Sequence, residues 1–234
     1  MKIALLGYGK MGKTIEQIAL KRGHEIVLKI DNDHTDYDIT QADVAIEFST
    51  PNSAFANISN CLRHRVPVVA GTTGWLAHYD EAVALCKTHD TAFLYASNFS
   101  VGVNIFFALN QTLAKLMASL NDYHISIEEI HHTQKLDAPS GTAITLAEGI
   151  IAETDKTAWQ LGTTADENII PIEAKRIGNT PGTHIVTYSS DIDTIEIKHT
   201  AHNRNGFALG AVIAAEWLLN KKGTYSMKDV LNLK

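Results

Sequence analysis

"KIALLGYGKMGKTIEQIALKRGHEIVLKID", residues 2–31, decides the fold. It opens on a short apolar run, which reads as a buried strand. Gly7, Gly9 and Gly12 follow in G-x-G-x-x-G spacing. Over residues 10–22, Met11, Ile15, Ile18 and Ala19 recur at helical spacing, so a helix begins inside the glycine loop. A second apolar run, residues 25–31, closes a strand–helix–strand unit. In that context the motif predicts a dinucleotide site. The first glycine permits the tight turn and the second lets a pyrophosphate approach the backbone. The third lets helix and strand pack closely, and the helix N-terminus faces the phosphates. Asp31 ends the second strand nineteen residues after Gly12, where a carboxylate can hold the adenine ribose hydroxyls. The alternative is a glycine-rich turn without a ligand. Asp31 favours NAD, because a carboxylate repels a 2′-phosphate; Lys10 and Lys13 nearby soften that repulsion. NADH and NADPH therefore both stay open.

The same rhythm continues outward. "ADVAIEFS" (42–49), "VPVVAG" (66–71) and "TAFLYAS" (91–97) read as strands. Pro51 suits the first turn of a helix, and residues 75–89 are helix-like. Strand and helix in alternation predict a doubly wound parallel sheet. "GTTGW" (71–75) and "ASNFS" (96–100) follow the fourth and fifth strands. Ligands bind at such carboxyl ends, and hydroxyl and amide groups there suit a nicotinamide pocket.

After Asn98 the pattern changes. Residues 101–117 form a long apolar helix, "DYHISIEEIHH" (122–132) alternates like a half-exposed strand, and residues 142–153 read as a helix. Three strand-like segments follow: "IPIEAKRI" (170–177), "GTHIVTYSS" (182–190) and "DTIEIKHTA" (193–201). Consecutive strands joined by polar turns predict an antiparallel or mixed sheet. The final helix, "GFALGAVIAAEWLLN" (206–220), is apolar enough to pack on a sheet or at a subunit contact. The expected class is α/β: an N-terminal doubly wound Rossmann domain plus a central α+β domain with a mixed sheet, divided as 1–98 and 99–205.

Bulk properties narrow the function classes. A chain of 234 residues can bury a proper core, and 45% hydrophobic with 20% charged residues is ordinary globular composition. A net charge of -6 argues against a nucleic-acid binder, which needs a basic face. No apolar run reaches membrane-spanning length, and the start lacks a signal-peptide core. Cys61 and Cys86 form no CxxC and read as reduced, half-buried thiols of a cytoplasmic protein.

"HHTQKLDAPSGT", residues 131–142, carries the chemistry of the second half. If the strand runs through His131 and His132, they face opposite ways and do different jobs. Lys135 lies past the strand end. Ser140, Gly141 and Thr142 lead into a helix whose free N–H groups suit a carboxylate. Two imidazoles, an ammonium and a helix N-terminus make an anion site with proton donors; the alternative is surface histidines beside a capped helix. Ser140 stands in no G-x-S-x-G elbow, and HHxxK is no H-E-x-x-H, so hydrolase and zinc readings lack support. His199 and His202 read as structural or exposed.

"EIHHTQKLDAPSGTA" closely resembles the E-x-H-H-x-x-K-x-D-x-P-S-G-T-A signature of the dihydrodipicolinate reductase family. "AGTTGW" and "NFSVGVN" are similar to that family's segments in the same order, so the resemblance covers essentially the whole chain. It implies hydride transfer from NADH or NADPH to C4 of a cyclic dicarboxylate imine, giving tetrahydrodipicolinate, on the route to diaminopimelate and lysine. By motif position it implies His131 as catalytic acid/base and Lys135 as proton donor and carboxylate partner. His132, Ser140, Gly141 and Thr142 would bind substrate. Gly7, Tyr8, Gly9, Lys10, Met11, Gly12, Asp31, Gly71, Thr72, Thr73, Ala96, Ser97, Asn98 and Phe99 would line the cofactor. It also implies a homotetramer built through the second domain's sheet, with the C-terminal helix, 206–234, rejoining the first domain. No metal, nucleic acid or membrane partner is expected.

Two departures stand out. Many members carry a longer G-x-x-G-x-x-G loop than GYGKMG. The stretch between Asp31 and Asp43 is abbreviated, as if a peripheral strand and helix were missing. The rivals are a reductase of the same plan acting on another amino-acid precursor, and a nucleotide-sensing protein that has lost catalysis. The intact His131, His132 and Lys135 set argues against the second.

Overall fold

The computed structural model describes residues 1–31, 37–203 and 205–233. The chain forms two compact units, residues 1–104 with 205–234 and residues 105–204.

In the first unit the elements run β1 (Lys2–Leu6), α1 (Lys10–Lys21), β2 (Glu25–Ile30), β3 (Val44–Glu47), α2 (Pro51–Arg63), β4 (Val68–Ala70), α3 (Tyr79–Thr88) and β5 (Ala92–Tyr95). With β11 (Gly223–Tyr225) the six-stranded sheet is ordered β11-β5-β4-β3-β1-β2 and pairs in parallel throughout. Its sixth strand, β11, returns from the chain's end to pair with β5. The helix read over residues 75–89 is shorter: a 3-10 turn, Leu76–His78, precedes α3. Pro51 does open α2, with Thr50 as its N-cap.

The sheet is buried on both faces. Ala54, Ile58, Cys61 and Leu62 of α2 and Ala82 and Cys86 of α3 cover one. Ile15 and Ala19 of α1, with Ala208, Ala211, Val212, Ala215 and Leu218 of α6 (Asn205–Leu218), cover the other. The apolar helix α6 therefore packs on the first sheet, and the stretch 206–234 is not one helix: α6 is followed by β11 and a short last helix. Both cysteines are fully buried, not half-buried, because each sits on the sheet-facing side of its helix. Between Asp31 and β3 a 3-10 turn, Ile39–Gln41, is present, and residues 32–36 of the abbreviated stretch lie outside the described residues.

The chain enters the second unit within α4 (Val101–Met117) and builds β6 (His124–His131), α5 (Gly141–Ile151), β7 (Ala158–Leu161), β8 (Ile169–Arg176), β9 (Gly182–Ser189) and β10 (Thr194–Ala201). The sheet order is β10-β9-β6-β8-β7. It is mixed: β6 pairs in parallel with β8 and antiparallel with β9. The four-residue β7 is too short to show a strand-like alternation; three of its residues are exposed, Trp159 is half-buried, and it stands at the sheet edge paired with β8. One face of this sheet carries Ile127, Ile170, Ile172, Val186 and Tyr188 under α5 and the later turns of α4. A short final helix, α7 (Met227–Val230), ends the fold. Among the described residues no helix is long and apolar enough to cross a membrane.

Candidate active site

In the first unit the predicted cofactor residues line up along the carboxyl edge of the parallel strands. The chain leaves β1 for β2 on one side and for β3 on the other, so β1 marks the topological switch point where such sheets bind ligands. Gly7 turns there with φ +98°, and a Cβ on it would lie 2.1 Å from the Phe48 carbonyl oxygen. A Cβ on Gly12 would lie 2.3 Å from the Gly7 oxygen. Those two glycines are spent on packing the loop. Gly9, the N-cap of α1, is exposed and has nothing within 4 Å of its added Cβ. That open ground before a helix N-terminus fits a phosphate. Lys10 is exposed, Met11 half-buried, and Asp31 exposed at the end of β2. Tyr8 bonds Glu16, which also takes Lys29 at 2.6 Å. Lys29 Nζ stands 5.2 Å from the Tyr8 ring centre.

Farther along the edge, Gly71 lies against the Phe48 ring and Thr73 is exposed. Thr72 is buried and its hydroxyl donates to Glu47 at 2.9 Å, so toward a ligand it has only its backbone to offer. Glu47 is itself buried, and burial raises its carboxyl despite hydrogen bonds from Ser49 and Thr72. After β5, Ala96 donates its N–H to the Ala70 carbonyl and Ser97 is exposed. Asn98 accepts the Ser100 amide at 2.9 Å, and Phe99 is buried with its ring 5.6 Å from that of Phe48.

The second unit holds the histidine-lysine loop. β6 stops at His131, so the two histidines do not continue the alternation; His131 is 8% exposed and His132 half-buried. His131 shares its sheet face with Glu129, two residues back, and Nδ1 lies 3.4 Å from Glu129 Oε2 without hydrogen-bond geometry. On the other side of the ring, a Cβ on Gly182 would lie 3.1 Å from Nε2. Lys135 Nζ is held by both oxygens of Asp137, at 2.7 and 2.6 Å. The lysine keeps Asp137 well below the usual carboxylate range. Ser140 caps α5 by accepting the Ala143 amide at 3.2 Å, and its own carbonyl takes the Ile144 amide. Among the described residues nothing takes the Gly141 and Thr142 amides, the open donors of a helix start. Here the structure brings Lys135, Ser140, Gly141 and Thr142 onto one short loop beside His131 and His132.

Sequence reasoning passed over the groups behind this loop. Glu129 is fully buried. Its Oε1 accepts Arg176 Nη2 at 3.1 Å and its Oε2 accepts the Ser140 amide at 3.0 Å. Burial alone would raise this carboxyl, but the nearby His131 and His184 imidazoles, the Ser140 amide and the Arg176 guanidinium outweigh it and hold it far below its usual range. His184 sits opposite Glu129 in the β6–β9 ladder, and burial lowers its basicity. The signal was the alternation itself. Three apolar rows end in polar groups at the same end of the sheet: Ile125, Ile127, then Glu129 and His131; Ile170, Ile172, then Arg176; Tyr188, Val186, then His184. Glu129, His131 and His184 place ligand atoms within 4.8 Å of one another. The carboxylate of that trio is already engaged by a guanidinium and an amide, which is a poor setting for a cation.

Comparison with known proteins gives the family. The family model described as dihydrodipicolinate reductase, N-terminus, matches residues 1–99, and that described as dihydrodipicolinate reductase, C-terminus, matches residues 102–231. The chain belongs to the dihydrodipicolinate reductase family. It is an oxidoreductase, and membership implies a nicotinamide cofactor. A 4-hydroxy-tetrahydrodipicolinate reductase of Christiangramia forsetii is 60% identical over 99% of this chain and 98% of its own. One from Thermosipho africanus is 37% identical over 99% and 98%. A solved dipicolinate-bound dihydrodipicolinate reductase from Paenisporosarcina shares the fold, with TM-score 0.78, 22% identity and 97% of each chain covered.

Proposed function

We propose that this family member reduces 4-hydroxy-tetrahydrodipicolinate to tetrahydrodipicolinate with NADH or NADPH, in the cytoplasm, on the route to diaminopimelate and lysine. The observation that carries the reading is the second unit's anion site. Lys135, beside His132, and the open amides of Gly141 and Thr142 suit a ring with two carboxylates. The 60% identical relative of that name supports the substrate.

The glycine loop and the edge residues of the first unit would hold the cofactor: Gly7, Tyr8, Gly9, Lys10, Met11, Gly12, Asp31, Gly71–Thr73 and Ala96–Phe99. The nicotinamide, when bound, would supply a hydride for C4 of the ring, whose 4-hydroxyl leaves as water on taking up a proton. Everything else falls to side chains of the second unit. The α5 N-terminus and His132 hold and orient the carboxylates. Lys135 exchanges Asp137 for a substrate carboxylate and supplies a proton from Nζ. His131 acts as acid/base, with Nδ1 turned to Glu129 and the Nε2 side of its ring beside Gly182. We also infer a homotetramer joined through the second unit's sheet. Ser126, Glu128, Thr187 and Glu196 line a groove on the face away from the apolar rows, which supports this reading.

A coupled assay tests the function. The cyclic substrate is generated in place and NAD(P)H oxidation is followed by absorbance. Turnover is expected, and its absence with both coenzymes would remove the reading. Titration of purified protein with NADH and NADPH ranks the two.

A further inference from the structure

Glu129, Arg176 and His184 take no part in the chemistry just described, yet they meet directly behind the loop that does. Their place follows from the register. His131 pairs with Arg176 across the β6–β8 ladder, and Glu129 with His184 across β6–β9. All lie on the sheet face that is apolar elsewhere, so the carboxylate is enclosed and must be met by donors.

Arg176 meets it and reaches past it. Its Nη2 donates to Glu129 Oε1 at 3.1 Å and to the Asp137 carbonyl at 2.7 Å. Its Nε donates to the Lys135 carbonyl at 3.3 Å. The other Glu129 oxygen takes the Ser140 amide at 3.0 Å. One carboxylate thus ties the loop at its far end, Ser140, directly and at its middle, Lys135 and Asp137, through the guanidinium. His184 Nε2 completes the ring of contacts, 3.1 Å from Ser140 Oγ.

We propose that Glu129 and Arg176 are positioning residues, a buried ion pair that fixes loop 132–140 and the first turn of α5 in the geometry that receives a dicarboxylate. The proposal deepens the reductase reading and rests on it. A planar fork is required: a lysine at 176 keeps the charge beside Glu129 but cannot hold three acceptors in the directions of Nε and Nη2. The pair touches no ligand itself. Its effect passes through where Lys135 and the Gly141 and Thr142 amides stand, and displacement by about 1 Å is enough to cost about a hundredfold in rate.

The test uses Arg176→Lys, Arg176→Ala and Glu129→Gln in the full-length protein. Four quantities are read: thermal melting, NADH affinity by fluorescence, kcat and KM for the cyclic substrate, and dipicolinate affinity by calorimetry. For Arg176→Lys we expect near wild-type melting and NADH affinity. Its substrate KM and dipicolinate Kd should rise about tenfold or more, with kcat reduced. Added guanidinium ion should restore part of the loss in Arg176→Ala. The proposal is overturned if folded Arg176→Lys keeps KM, kcat and dipicolinate Kd within about twofold of wild type. It is equally overturned if losses in all three variants track only the unfolded fraction. Should Arg176→Ala fail to fold, Arg176→Lys decides. A wild-type protein that binds dipicolinate without turnover would remove the reductase reading, while the dipicolinate titration would still judge the pair.

Discussion

Replacing Lys135 by alanine should separate chemistry from folding, because the structure assigns the side chain little stabilising work. Its ammonium is bound by Asp137, whose side chain is 62% exposed, and the pair spans two residues of one loop. An ion pair so open to solvent contributes about 0–1 kcal/mol, so Lys135→Ala should lower stability by no more than that. For a domain of this size a change of 1 kcal/mol moves Tm by about 2–4 °C. The glycine loop that would hold the cofactor belongs to the other unit, so NADH affinity should not change.

The expected kinetic loss is far larger. A charged hydrogen bond to a substrate carboxylate is worth about 1.5–3 kcal/mol, or roughly 10- to 150-fold in binding. Loss of a positioned proton donor removes about another 10²–10⁴-fold from kcat. We therefore expect kcat/KM to fall by about 10³-fold or more, shared between a raised KM and a lowered kcat. Lys135→Arg should recover part of the KM effect and little of kcat, since a guanidinium holds a carboxylate but does not release its proton near neutral pH. The assay is steady-state NAD(P)H oxidation beside a melting curve and a coenzyme titration on the same preparations. Turnover of Lys135→Ala within about threefold of wild type, with the protein folded, would refute the assignment of Lys135 as donor and carboxylate partner.

Gly9→Ala should fold normally, since its added Cβ meets nothing within 4 Å, but should weaken NADH binding; Gly7→Ala should lower Tm sharply, because its Cβ would sit 2.1 Å from the Phe48 oxygen at φ +98°. Fluorescence titration and thermal melts distinguish the two. Glu129 has a folded pKa below its unfolded value, so its stabilisation is complete above about pH 4.5 and is lost as pH falls toward the folded value. Glu129→Gln should therefore flatten the acid limb of a stability–pH curve while lowering stability at pH 7 by about 3–5 kcal/mol, read by urea melts. Asp31→Ser should raise the NADPH:NADH ratio of kcat/KM by removing a carboxylate from the end of β2, and an unchanged ratio would place the ribose elsewhere.

Most of the first unit was legible because its signals are local. Apolar runs of four to six residues separated by helical spacing leave little freedom in a parallel sheet, and Gly7 and Gly12 lie where backbones touch. The loop 131–142 was legible for a related reason: its lysine, its N-cap serine and its proline sit within a dozen residues. What escaped notice had weak or distant signals. β11 is three residues, half-buried or exposed, and exists because β5 offers an open edge. β7 is mostly exposed and reads as loop.

The supporting pair behind the loop escaped for a more instructive reason. Arg176 and His184 are distant from Glu129 in sequence, and each alone is an ordinary polar residue at the end of a strand. Their meaning appears only when three strands are laid in register, because the same end of each apolar row turns polar together. A folded sheet tolerates one buried charge at such a place only if its neighbours answer it. The alternation therefore contains a test that needs no known relative. Wherever a period-2 apolar row ends in a carboxylate, the adjoining rows should end in donors level with it or one inward-facing position beyond. Here they do: Glu129 answered by Arg176 on one side and His184 on the other, with the Ser140 amide closing the top. A loop anchored at three points by one carboxylate can present Lys135 and a helix N-terminus in a fixed relation. That relation is what recognition of two carboxylates on one ring requires, since each donor alone would bind any anion.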